Sequence, residues 1–136
     1  MLREPFIVSV SNDEIYDLCN VLIGQASEVS YSASIGRAYY VVYHEAVKTA
    51  DRIGLKNAPV MNAGTHERLY SRYSEPGGSL ARLARRMRDC KRLRAKADYD
   101  LDCDVSKEQA QLHARQCQNL LSDLRRISAG SAKAGV

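Results

Sequence analysis

Apolar residues recur at helical spacing through most of this chain. Ile15, Leu18, Cys19, Leu22, Ile23 and Ala26 fall at i, i+3, i+4, i+7, i+8 and i+11, on one face of a helix predicted over 13–26. Ser11 and Glu14 form a capping box at its start. A second helix is predicted over 32–53, about 33 Å long at 1.5 Å per residue, with Gly54 placed to end it. A loop over 55–64 leads to a short helix over 66–73. Glu75, Pro76, Gly77 and Gly78 then break the pattern. A fourth helix follows over 80–97 with Ser79 as its cap. The polar stretch 98–105 is irregular, and Ser106 with Gln109 caps a fifth helix over 107–127. That helix is apolar at Ala110, Ala114, Cys117, Leu120, Leu121, Leu124 and Ile127. Strand-like alternation never runs beyond a few residues, and no internal repeat is visible. The expected fold is all-α, an antiparallel bundle of four to five helices. It forms a single domain over 1–128 with a flexible tail over 129–136.

Composition narrows the class without naming a function. With 136 residues, 45% hydrophobic and 26% charged, the chain can bury a core without disulfide or metal staples. The start lacks a secretory core, and no run of 18 uncharged apolar residues occurs. The expectation is a cytoplasmic protein with no membrane association. Cys19, Cys90, Cys103 and Cys117 contain no CxxC pair, so neither a zinc site nor a thioredoxin-like motif is signalled. Three of the four sit at helical core spacing, as buried free thiols do. The formal charge is +4, compatible with an anionic partner. Tyrosine is over-represented, with Tyr 8, Phe 1 and Trp 0.

Placement says more than the averages. Arg37 and His44 are seven residues apart on the second helix, and seven steps come to about 700°, close to two turns. They share a stripe with Tyr40 between them. A permanent cation, a hydroxyl and an imidazole can handle a phosphodiester: imidazole moves a proton near neutral pH and guanidinium holds phosphoryl oxygens. The competing reading pairs Arg37 with a carboxylate and makes His44 an interhelix contact. On the fourth helix, eight of the 20 Lys and Arg residues fall within 82–96. Arg82, Arg85, Arg86 and Arg92 point to one side, either as a phosphate-contacting face for RNA or as a solvated one. Arg94 falls near the apolar side, which calls for a partner such as Asp98 or a group on another helix. The alternating acids Asp98, Asp100, Asp102 and Asp104 lack the glycine and glutamate of a calcium loop. His66 opens the third helix, where a second site contact is expected, and His113 borders the apolar face of the fifth and reads as packing. No nucleotide-phosphate, dinucleotide, zinc-protease or serine-hydrolase motif is present. No cofactor and no metal is expected.

Three ordered blocks carry a family resemblance. Ser34-Ile-Gly-Arg37-Ala-Tyr39-Tyr40-Val-Val-Tyr43-His44-Glu-Ala46, then Gly64-Thr-His66, then Arg94-Ala-Lys-Ala-Asp98-Tyr99-Asp100 resemble the S-x-x-RAYYA-x-FH-x-A, G-x-H and R-x-x-ADYD blocks of a small prokaryotic branch of the HEPN superfamily. The likeness covers about residues 13–124. It implies a helical bundle that forms a homodimer. It also implies a metal-independent endoribonuclease of a toxin–antitoxin or antiviral defence system, cleaving RNA by 2′-OH attack. Partners implied by the likeness are RNA and a minimal nucleotidyltransferase antitoxin or another defence-system protein. Arg37 and His44 would be catalytic with Tyr40, and Tyr39, His66, Arg94, Asp98 and Tyr99 auxiliary. In the superfamily's RNases the Arg and His come from a later helix, near Arg94–Tyr99 here, where this chain has no histidine. The alternative within the family is a non-catalytic module that binds nucleotide, RNA or a partner protein.

Overall fold

A computed structural model of the chain describes residues 12–25, 27–57, 63–99 and 105–134. These residues hold five helices and no strand: α1 (Asn12–Gly24), α2 (Glu28–Arg52), α3 (Thr65–Ser74), α4 (Gly78–Tyr99) and α5 (Lys107–Ala134). The all-α bundle expected from the periodicity is the fold. No described helix is long and apolar enough to cross a membrane.

The central helix is α2, which touches each of the other four and packs most extensively on α5. Its buried residues explain why. Ile35, Ala38, Tyr39, Val42, Ala46, Thr49 and Ala50 are all inside, at spacings that cover more than one face. Small side chains at three of these positions bring neighbouring backbones close. Facing them are Cys19 of α1, Leu69, Tyr70 and Tyr73 of α3, Leu83, Ala84, Met87 and Cys90 of α4, and Ala114, Cys117, Leu120, Leu121 and Leu124 of α5. A smaller cluster of Ile23, Ile35, Val105 and Ala110 fills the other end of the bundle. Cys19, Cys90 and Cys117 are buried free thiols, as their spacing predicted.

Several helix ends differ from the sequence reading: α1 stops at Gly24 rather than 26, and α4 runs on to Tyr99, so Asp98 and Tyr99 are helical where an irregular stretch is expected. α2 begins at Glu28 rather than 32. Ser27 is its N-cap, with Oγ accepting from the Ser30 N–H at 3.1 Å. The extra turn escapes the hydrophobic pattern because Val29 is 81% exposed while Ser30 is buried. α4 begins at Gly78, so Ser79 lies inside the helix instead of capping it. Gly77 and Gly78 both hold positive φ, 78° and 61°, and reverse the chain between α3 and α4 in a conformation other residues resist. α5 runs to Ala134, past the expected end at 127. Its last turns contain no proline, and alanine and lysine support them. The Ser11 end of the α1 capping box, the side chains of Asp98 and Tyr99, and the acids at 100, 102 and 104 lie outside the described residues. The Ser106–Gln109 box forms as expected: each backbone N–H donates to the other's side chain, at 2.9 and 3.1 Å.

Gly54 ends α2 as its position suggested. With φ at 74° it donates its N–H to the Asp51 carbonyl, and Leu55 donates to Ala50. These are the two bonds of a Schellman motif. No heavy atom would crowd a β-carbon there, so alanine at 54 carries backbone strain alone. Gly54→Ala is expected to destabilise the fold by about 1–2 kcal/mol in urea denaturation, and no loss would mean that the turn relaxes freely. Arg72 of α3 reinforces this corner. Its guanidinium donates to the Leu55 carbonyl at 2.6 and 3.2 Å and pairs with Asp51 at 3.0 Å.

Candidate functional site

The α2 stripe faces solvent. Arg37, Tyr40 and His44 are all exposed, because the opposite positions Ala38, Val42 and Ala46 take the core. Side chains on a helix lean toward its N-terminus, so residues four apart meet. His44 accordingly packs edge-on against Tyr40, with ring centroids 4.3 Å apart. Arg37 has no carboxylate partner among the described residues. It sits about 10 Å from His44 along the helix axis at 1.5 Å per residue.

The stripe continues sideways into α3. Tyr43 lies against His44 at 5.6 Å and against His66 at 4.5 Å, so one ring touches both histidines. His66 is half-buried, and its Nδ1 is 2.7 Å from the Tyr39 hydroxyl. Tyr39 is in turn hydrogen-bonded to the Tyr70 hydroxyl. This short relay has a proton arrangement with chemical use. If Nδ1–H donates to Tyr39, and Tyr39 donates to Tyr70, the Nε2 lone pair of His66 is free to accept a proton.

Charge around the relay favours the neutral imidazole that this arrangement needs. Burial lowers the His66 pKa, and the positive charges of Lys91 and Arg94 lower it further. Burial pushes the Tyr39 hydroxyl up to about 12, outweighing its bond to Tyr70 and the nearby Arg94 charge. Burial raises Tyr70 further still. Both phenols therefore stay protonated at neutral pH and act as hydrogen-bonding groups. Arg94 lies over the Tyr39 ring at 5.6 Å, and Arg88 lies over the Tyr70 ring at 5.7 Å. Arg88 also donates to both Glu67 carboxylate oxygens, at 2.6 and 3.3 Å. Cation–π contacts of this kind favour a guanidinium lying over an aromatic face. The expectation that Arg94 meets another helix thus finds an aromatic face on α2.

The basic residues of α4 divide into separate groups. Arg82 and Arg85 are exposed near its start. Arg86 turns toward α5 and pairs with Asp123 at 2.8 Å, and Arg92 pairs with Asp89 at 2.9 Å. The Arg86 guanidinium, ahead of Arg126, holds the Asp123 carboxyl below its usual value. The cations that border the histidine relay are instead Arg88, Lys91 and Arg94. The sequence reading does not single out Tyr70 or Glu67, and it includes Arg88 and Lys91 only as members of the basic run on the fourth helix. Their available signal was spacing: Tyr70 is four residues after His66, and 88, 91 and 94 recur every third residue along α4. His113 is buried in the bundle, consistent with packing.

No protein-family model, curated protein or solved structure matches the chain.

Proposed function

We propose that the protein is a metal-independent endoribonuclease acting at the α2–α3 surface. The observation that carries this reading is the exposure of Arg37, Tyr40 and His44 on one face of α2, continuous through Tyr43 with half-buried His66. Two imidazoles on either side of one ring offer the two proton transfers that phosphodiester cleavage needs. Neutral His66 takes the proton from the 2′-OH as its oxygen attacks phosphorus. His44 gives a proton to the 5′-oxygen as the phosphorus–oxygen bond breaks. Arg37 stabilises the charge on the crowded phosphorane, and Tyr40 orients the phosphate. The products carry a 2′,3′-cyclic phosphate and a 5′-OH.

The three sequence blocks extend the proposal to a homodimer in a toxin–antitoxin or antiviral system, restrained by a nucleotidyltransferase or another defence partner. In that role Arg82 and Arg85 track the RNA backbone beyond the cleavage site. The ion pairs on Arg86, Arg88 and Arg92 favour a second reading, because they neutralise part of the basic face. In that reading the bundle is a non-catalytic module for RNA, nucleotide or a partner protein.

RNA incubated with the full chain in excess EDTA decides between them. The expected result is cleavage to cyclic-phosphate ends, with Arg37→Ala and His44→Ala each losing most of it. Unchanged activity in both variants excludes this site. Salt-sensitive RNA binding without cleavage supports the module instead.

A further inference from the structure

A second cluster of reactive side chains lies inside the bundle, and the ribonuclease chemistry makes no use of it. Cys90 of α4 meets His113 and Cys117 of α5, with one ligating atom from each residue all within 4.8 Å of one another. The residues arrive by simple geometry. His113 and Cys117 are four apart and share a face of α5. Cys90 projects from the buried side of α4 toward them. All three are essentially inaccessible, and His113 is 0% exposed.

The spacing of Cys117 and His113 fits a thiophilic cation. Cys117 Sγ is 3.6 Å from His113 Nδ1 and 3.7 Å from Nε2. Tetrahedral zinc, with Zn–S of about 2.3 Å and Zn–N of about 2.0–2.1 Å, places sulfur and nitrogen about 3.6 Å apart. The other side of the imidazole is also provided for. His113 Nε2 faces the Cys90 carbonyl oxygen at 3.4 Å. A ligating histidine commonly donates its second ring N–H to a backbone carbonyl, which fixes the tautomer. That leaves Nδ1, 3.6 Å from Cys117 Sγ, with its lone pair. Two thiolates and one neutral imidazole around a divalent ion sum to zero charge. This suits a site whose two cysteines belong to the main apolar core.

A fourth ligand also has room. A partly open cavity of about 200 Å³ is lined by Arg86, Asp89, Cys90, Gln116, Asn119 and Leu120. Cys90 lies on its wall, which puts space for a water or a polar side chain beside the cluster. Without a metal, the two thiols and the imidazole have only weak sulfur hydrogen bonds and the His113 contact with the Cys90 carbonyl to hold them.

We propose that Cys90, His113 and Cys117 form a binding site for a zinc-class divalent cation that ties α4 to α5. The ion links residues 23 and 27 positions apart in sequence and stabilises the bundle by binding the folded state alone. The test uses the reduced, chelator-treated full chain and cobalt(II) chloride as a spectroscopic probe. Expected is a thiolate-to-cobalt charge-transfer band in the near ultraviolet, with visible bands of a tetrahedral site. The bands should saturate at one equivalent and vanish when zinc displaces cobalt. Cys90→Ser, Cys117→Ser and His113→Gln should each weaken zinc binding at least tenfold, while Cys19→Ala, whose thiol turns to the Ser34 carbonyl at 3.8 Å, retains it. Absence of the charge-transfer band in the unmodified protein overturns the proposal whatever the variants do, and so does an unaltered band in the three ligand variants.

Discussion

Alanine at His66 is expected to lower RNA cleavage by about 10²- to 10⁴-fold, the usual contribution of a positioned general base. The expectation rests on the ribonuclease proposal and on the relay behind the ring. Tyr39 holds Nδ1 at 2.7 Å and is itself buried, so the imidazole has one fixed orientation. Tyr39→Phe removes that partner but keeps the packing. It should lower kcat with KM little changed, and by less than loss of the imidazole. The pH profile supplies a sharper test. A base acts when neutral, so its pKa sets the acid limb of kcat/KM. Burial first, then Lys91 and Arg94, holds His66 below the ordinary histidine value of 6.5. The acid limb should therefore lie below that value. Lys91→Ala removes one opposing charge, makes protonation easier and moves the limb upward in pH. A limb that does not move would show that the titrating group is not His66.

The second large effect concerns stability. Tyr73→Ala is expected to cost about 3–5 kcal/mol in urea denaturation, as for other large aromatic truncations. Tyr73 is fully buried within the main core cluster, and its hydroxyl donates to the Ala46 carbonyl at 2.6 Å. Tyr73→Phe separates the two contributions. It keeps the ring and loses the hydrogen bond, for a cost of about 1 kcal/mol. If alanine costs no more than phenylalanine, the ring is not packed as described. This residue also shows why an excess of tyrosine is not by itself a sign of function. Tyr73 serves the core and Tyr40 the surface, while Tyr39 and Tyr70 couple the core to the candidate site.

Much of this was legible along the chain. Helix existence and type follow from local periodicity, which requires no distant partner. Gly54 as a helix end and the Ser106–Gln109 box are also local chemistry, contained within a few residues. The start of α2 was harder to place. Its first turn exposes Val29 and buries Ser30, so polarity and burial run against each other there. The α2 stripe was visible because Arg37, Tyr40 and His44 lie on one helix, where spacing decides direction. The loss of Arg86 and Arg92 from an open basic face was not, since partner choice depends on where carboxylates fall after folding.

The sequence by itself determined an all-α bundle of four to five helices, its core stripes and a row of Arg37, Tyr40 and His44 on one face of a helix. Only the tertiary structure decided what those helices bring together. His66 reaches Tyr39 across 27 residues, and Tyr70 reaches it across 31. His113 meets the Cys90 backbone across 23 residues. No short motif encodes these meetings. The packing of α2 against α3, and of α4 against α5, places their side chains at contact distance, and that packing is a property of the whole core.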